Sequence, residues 1–230
     1  MNNLKAIFFD ADDTLLDFDE HEKQALIYLC DRIGVSYKDE YQGIFGPLDL
    51  HLWANASYNG IPVPVADIAT YRFQILFELI GVEYDDYAAA NALFMEELKK
   101  QTALTKNAEK ITEYLHNKGL LLCVVTNGLI ELQKPRVLNG KVGKFISYVI
   151  VSEEVKAHKP SPLIFRALLD RLSLTSNDVV MIGDSLAKDI QGAQNAGIKT
   201  IWYNPKRAEN ETNIIPDFEV NDLLQIASII

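Results

Sequence analysis

Short apolar runs separated by helical patterns recur along most of this chain, and they restrict its fold more than any other feature. Leu4-Lys5-Ala6-Ile7-Phe8-Phe9 and Leu120-Leu121-Leu122-Cys123-Val124-Val125 are such runs, as are residues 145–151, 179–182 and 199–203. They are β-prone and show no polar alternation, so they read as strands buried on both faces of a parallel sheet. Ile111, Tyr114 and Leu115 mark a helix before the second run. Ser161 and Pro162 are a good N-cap and first residue for another, with Ile164, Ala167, Leu168 and Leu172 on one face. A further helix stops at Gly197, residues 218–220 read as a short strand, and residues 222–230 read as a last helix. Repeated alternation of this kind specifies an α/β fold with a doubly wound parallel sheet, Rossmann-like in layout.

The alternation is interrupted once. Residues 20–33, 66–80 and 85–98 favour helices, and Phe73, Leu76, Phe77 and Ile80 form a helical stripe. Breaks at Gly46-Pro47 and Asn59-Gly60-Ile61-Pro62 divide these segments. The expected organisation is therefore a core of residues 1–16 and 101–230 with an inserted all-helical domain of residues 17–100.

The runs end in polar residues, and open α/β sheets bind ligands beyond the carboxyl ends of their strands. Phe9 is followed by Asp10-Ala11-Asp12-Asp13-Thr14. One carboxylate there can attack an electrophile and form a covalent intermediate. A second can protonate a leaving group and later deprotonate water. Such a pair can equally cap a turn. Thr126-Asn127-Gly128 offers a hydroxyl and main-chain N–H groups suited to phosphate oxygens, although alone it is an ordinary turn. Lys159 precedes the helix that opens at Ser161; a cation is poorly placed beside a helix N-terminus unless an anion shares the site. Gly183-Asp184, with Asp189 five residues on, supplies carboxylates at another strand end, where a hard divalent cation binds through oxygen.

Together these segments resemble the haloacid dehalogenase superfamily in its phosphatase branch. Asp10-Ala11-Asp12-Asp13-Thr14 matches the first motif, Thr126 the second, Lys159 the third, and Gly183-Asp184 with Asp189 the fourth. The resemblance implies that Asp10 is the nucleophile and Asp12 the general acid and base. Thr126, Asn127 and Lys159 hold the phosphoryl group. Asp10, the main-chain carbonyl of Asp12, and Asp184 bind Mg²⁺, and Asp189 steadies Lys159 or a metal-bound water. It also implies a cap that closes over the pocket. An acid at Asp12 suits an alkoxide leaving group, whereas the dehalogenase branch, which expels halide, lacks one. Lys156-Ala157-His158-Lys159 departs from the family pattern, which has a small glycine two or three residues before the lysine.

The likeness is nearest to pyrimidine 5′-nucleotidases, on Ala11, Leu52-Trp53, Asn59-Gly60, Thr126-Asn127-Gly128-Leu129 and Ser152-Glu153-Glu154-Val155. It implies a nucleoside monophosphate substrate, with Phe18 or Trp53 as candidates to stack a base. Another small phosphate, such as a sugar phosphate or phosphoglycolate, is the alternative. A non-catalytic binding module is the remote one. The net charge of −10 over 230 residues opposes nucleic-acid and anionic-membrane partners. Two cysteines, Cys30 and Cys123, build no disulfide framework, and Met1 leads into the first strand without room for a leader. A cytoplasmic enzyme is the expectation.

Overall fold

The structure, a computed structural model, describes residues 4–230. The expectation drawn from the start of the chain, Met1 to Asn3, falls outside those residues. The chain divides into two compact units: residues up to Phe18 with Thr102–Ile230, and Asp19–Gln101. In chain order the strands are β1 (Ala6–Phe9), β2 (Ser57–Tyr58), β3 (Ile61–Pro62), β4 (Leu121–Thr126), β5 (Ile146–Val151), β6 (Val179–Gly183), β7 (Lys199–Tyr203) and β8 (Phe218–Val220). The helices are α1 (Phe18–Arg32), α2 (Asp39–Asn55), α3 (Ile68–Ile80), α4 (Tyr87–Leu98), α5 (Ala108–Asn117), α6 (Ile130–Leu138), α7 (Ser152–Val155), α8 (Pro162–Leu172) and α9 (Gln191–Asn195).

Six strands of the first unit form one parallel sheet in the order β5-β4-β1-β6-β7-β8. The chain winds outward from β1 through β4 to β5, then returns to the far side of β1 and winds outward through β6, β7 and β8. The winding reverses between β1 and β6, the place beyond whose strand ends ligands bind in open α/β sheets. All four residues of β1 are buried. Ile7 and Phe9 pack on one face with Ala108, Ile111 and Leu115 of α5. Ala6 and Phe8 pack on the other with Ile164, Phe165 and Leu168 of α8. Helices thus cover both faces, which is the doubly wound α/β core expected from the strand runs. Ser161 caps α8, its hydroxyl accepting from Leu163 N–H, and Pro162 is the first helical residue. Tyr114 of α5 remains 39 % exposed, so only part of the expected apolar face is buried. The last helix is shorter than expected, a 3₁₀ segment over Leu223–Ser228 capped by Asp222.

The second unit is built on α1 to α4, with two departures from expectation. Helix α2 runs through Pro47 instead of stopping at Gly46-Pro47. Its buried stripe of Tyr41, Phe45, Leu48 and Leu52 outweighs the hydrogen bond that proline removes. Gly46 serves close approach there: a Cβ would lie 3.0 Å from Glu22 Oε2. The unit is also not wholly helical. Asn59-Gly60, both at positive φ, form a tight turn between β2 and β3. Phe45, Phe73 and Phe94 cluster with ring centroids 5.2–5.4 Å apart, Phe45 stacked on Phe73 and Phe94 tilted against both. The buried guanidinium of Arg72 lies over all three and pairs with Asp49 at 2.8 Å.

Candidate active site

Asp10 directly follows β1, and its N–H donates to Ile182 O of β6 at 2.9 Å. That pairing sets it beside Gly183-Asp184, across the reversal of strand order. Asp10 Oδ1 accepts from Ala11 N–H at 2.7 Å and from Lys159 Nζ at 2.6 Å. Both of these contacts fall on Oδ1.

The loop after β1 then folds back, with Leu15 and Leu16 N–H both donating to Ala11 O. This fold, and not strand alternation, decides where Asp12 goes. Asp12 does not join Asp10 on Lys159. Its two oxygens are taken from α6, by Arg136 Nη2 at 2.7 Å and Gln133 Nε2 at 3.0 Å.

Thr126 closes β4 and is buried. Asn127 spans to the third motif: its Oδ1 accepts from Lys159 N–H at 2.8 Å, and its Nδ2 donates to Lys159 O at 3.2 Å. Its amide therefore braces the lysine loop. Lys159 is itself buried, and its Nζ meets Asp10, Asp189 at 2.7 Å and Val125 O at 2.9 Å. Lys156, where the family pattern allows a glycine, takes the left-handed conformation at φ 51° at the end of α7.

Gly183 gives room for Asp189. A Cβ there would lie 2.5 Å from the Asp189 carboxyl. Asp189 sits fully buried in a π-helical turn, Leu186–Ile190, and accepts from Ser185 N–H at 3.0 Å. Trp202 Nε1 donates to Asp184 O at 2.7 Å and so fixes the main chain there.

Oxygens of Asp10, Asp184 and Asp189 lie within 4.8 Å of one another. Three carboxylates thus face one ammonium, and their charge is not balanced. Burial first, then the charges of Asp189 and Asp184, raises Asp10 well above its ordinary value despite Lys159. Burial and the Asp189 charge push Asp184 up to about 7. Burial alone would lower Lys159, but Asp10 and Asp189 hold it above the usual lysine range, so it stays a cation. All-oxygen donors with surplus negative charge fit a hard divalent cation such as Mg²⁺.

The structure therefore brings Asp10, Lys159, Asp184 and Asp189 into one cluster, with Thr126 and Asn127 at the adjoining strand end and Asp12, in the loop after β1, held by Arg136 and Gln133 of α6. Phe18 lies under the Arg136 guanidinium, 5.3 Å from ring centroid to carbon. Trp53 belongs to α2 and is 51 % exposed, its Nε1 donating to Asp49. Gln133 and Arg136 complete the site although no motif marks them. Their signal in the sequence is a polar pair at i and i+3, one face of the helix that follows Thr126.

Comparison with known proteins identifies the family. The model of the haloacid dehalogenase-like hydrolase family matches residues 4–197. The chain belongs to that family, and it falls among the phosphatases within it. It is 33 % identical to the pyrimidine 5′-nucleotidase PynA of Streptococcus pneumoniae, over 94 % of this chain and 90 % of the relative. It is 26 % identical to the phosphoserine phosphatase of Thermus thermophilus, over 97 % and 98 %. Among solved structures, the HAD-hydrolase YfnB of Bacillus subtilis bound to magnesium superposes with a TM-score of 0.88 at 28 % identity, covering 99 % of both chains. Among the described residues no helix is long and apolar enough to cross a membrane.

Proposed function

We propose that this enzyme hydrolyses phosphomonoesters through a phosphoryl group carried on Asp10, with Mg²⁺ as cofactor and nucleoside 5′-monophosphates, pyrimidine ones first, as substrates. The observation that carries the reading is Asp10 itself. It stands at the strand end where the winding reverses, with Oδ1 held by Lys159 and Ala11.

Asp10 Oδ2 attacks phosphorus, and the ester P–O bond breaks. The electron pair leaves on the ester oxygen, which takes a proton from Asp12 and departs as an alcohol. Asp12, now a carboxylate, takes a proton from water. The water oxygen attacks phosphorus, the Asp10–phosphoryl bond breaks, and inorganic phosphate is released with Asp10 restored. Lys159 offsets charge on the transferring group, and Thr126 donates to its oxygens. Asn127 contributes by bracing the Lys159 loop, because its amide is engaged there. Asp10, Asp184 and the Asp12 carbonyl would hold Mg²⁺, which supplies charge neutralisation to a transfer that depends on positioning and electrostatics.

The substrate preference is supported by the PynA likeness. The match to a phosphoserine phosphatase supports a second reading, another small phosphorylated metabolite. Phosphate release over a panel of monophosphates, with Mg²⁺ and then with chelator, separates the two. Pyrimidine nucleoside monophosphates should give the highest kcat/KM, and chelator should abolish turnover. A sugar phosphate or phosphoserine outrunning every nucleotide overturns the nucleotidase reading alone. Turnover in chelator overturns the metal assignment.

A further inference from the structure

Helix α6 places two buried side chains, Gln133 and Arg136, on Asp12. Arg136 has no exposed surface, yet its guanidinium reaches Asp12 Oδ1 through Nη2 at 2.7 Å. Its Nη1 donates to Gln133 Oε1 at 3.2 Å. That bond fixes which end of the Gln133 amide is oxygen, so Nε2 faces Asp12 Oδ2 at 3.0 Å and Asn127 O at 3.1 Å. Phe18 stacks against the guanidinium. Gly128, at φ 135°, leaves the amide its space: a Cβ there would come within 3.0 Å of Gln133 Nε2. Both Asp12 oxygens are therefore gripped, and the same amide ties Asp12 to the turn after Thr126.

We infer that Arg136 and Gln133 are positioning residues that orient the Asp12 carboxyl for proton transfer to the leaving oxygen, an inference that rests on the acid-base role proposed for Asp12. A planar, two-point grip sets the direction of the carboxyl as well as its place. Charge-assisted bonds of this kind also recruit the acid to the phosphate turn, because Asn127 continues the chain of contacts to Lys159. Proton transfer is steep in geometry, whereas the Asp10 carboxyl is held directly by Ala11 N–H and Lys159 Nζ, neither of them on α6.

The test compares single-turnover release from a nucleoside 5′-monophosphate, whose alkoxide needs a proton, with release from 4-nitrophenyl phosphate, whose phenolate does not. Asp12→Asn, Gln133→Met and Arg136→Lys are measured alone, and Gln133→Met also in the Asp12→Asn background. Asp12→Asn should lose far more on the nucleotide. Gln133→Met and Arg136→Lys should repeat that split, with at least ~10-fold greater loss on the nucleotide. Gln133→Met should add nothing once Asp12 is Asn. If Asp12→Asn shows the split and the α6 variants lose equally on both esters, or on neither, the grip has no positioning role and the Asp12 role stands. If Asp12→Asn itself shows no split, both fall. Arg136 is fully buried, so Gln133→Met decides the matter if Arg136→Lys does not fold.

Discussion

Asp10 and Lys159 are 149 positions apart and meet at 2.6 Å. Asp10→Asn keeps the size of the side chain but removes the attacking carboxylate. We expect turnover at or below the assay background with an unchanged circular-dichroism spectrum; retention of even a tenth of the activity would argue against attack by Asp10. Asp10, Thr126, Lys159 and Asp184 were legible because each lies next to a strand run or a helix start that the sequence displays. Gln133 and Arg136 were not: a polar pair at i and i+3 marks a helix face, but its contact with Asp12 depends on where the loop after β1 returns. The loop before Lys159 gives a second prediction. Lys156 holds φ 51° without being glycine, a conformation unfavourable for a residue with Cβ. Lys156→Gly should raise unfolding stability by about 0.5–1 kcal/mol, less than the full strain because glycine also gains entropy in the unfolded chain. A loss of stability in urea titration would show that the lysine side chain matters there.

At the scale of elements, the strands were readable and the helices of the insertion less so. A parallel strand buried on both faces is a continuous apolar run, as β1 and β6 are. Helix α2 defeats the local rule because Phe45 and Leu52 are buried on either side of Pro47. Asn59-Gly60 was visible as a break, but its two-residue strands are too short to carry a period of two. Phe45 has no exposed surface and touches Phe73, Phe94 and Arg72. Phe45→Ala should therefore cost about 3–5 kcal/mol in the unfolding of that unit. A cost below 1 kcal/mol would mean that the aromatic cluster adds little.

For the whole molecule, the carboxylate cluster ties stability to pH and, through the proposed Mg²⁺, to metal. Asp184 rises from an ordinary 3.8 to about 7 in the fold, and Asp10 is raised in the same direction. A carboxyl raised on folding favours the fold while protonated. Its contribution is complete below the ordinary value and is lost as pH climbs through about 7. Mg²⁺ binds the ionised form, so the rise in Tm that it produces should be larger at about pH 8 than at about pH 5. A larger rise at the lower pH would contradict the assignment of Asp184 to the metal.

The central claim is that Asp10 carries the phosphoryl group. The most direct measurement is an acid quench during turnover, followed by peptide mass spectrometry of the segment containing Asp10. We expect a phosphoryl adduct on Asp10 that forms faster than phosphate is released, and that is absent from Asp10→Asn. Phosphate release at full rate with no adduct on Asp10 at any quench time, or an adduct on a different residue, would contradict the account.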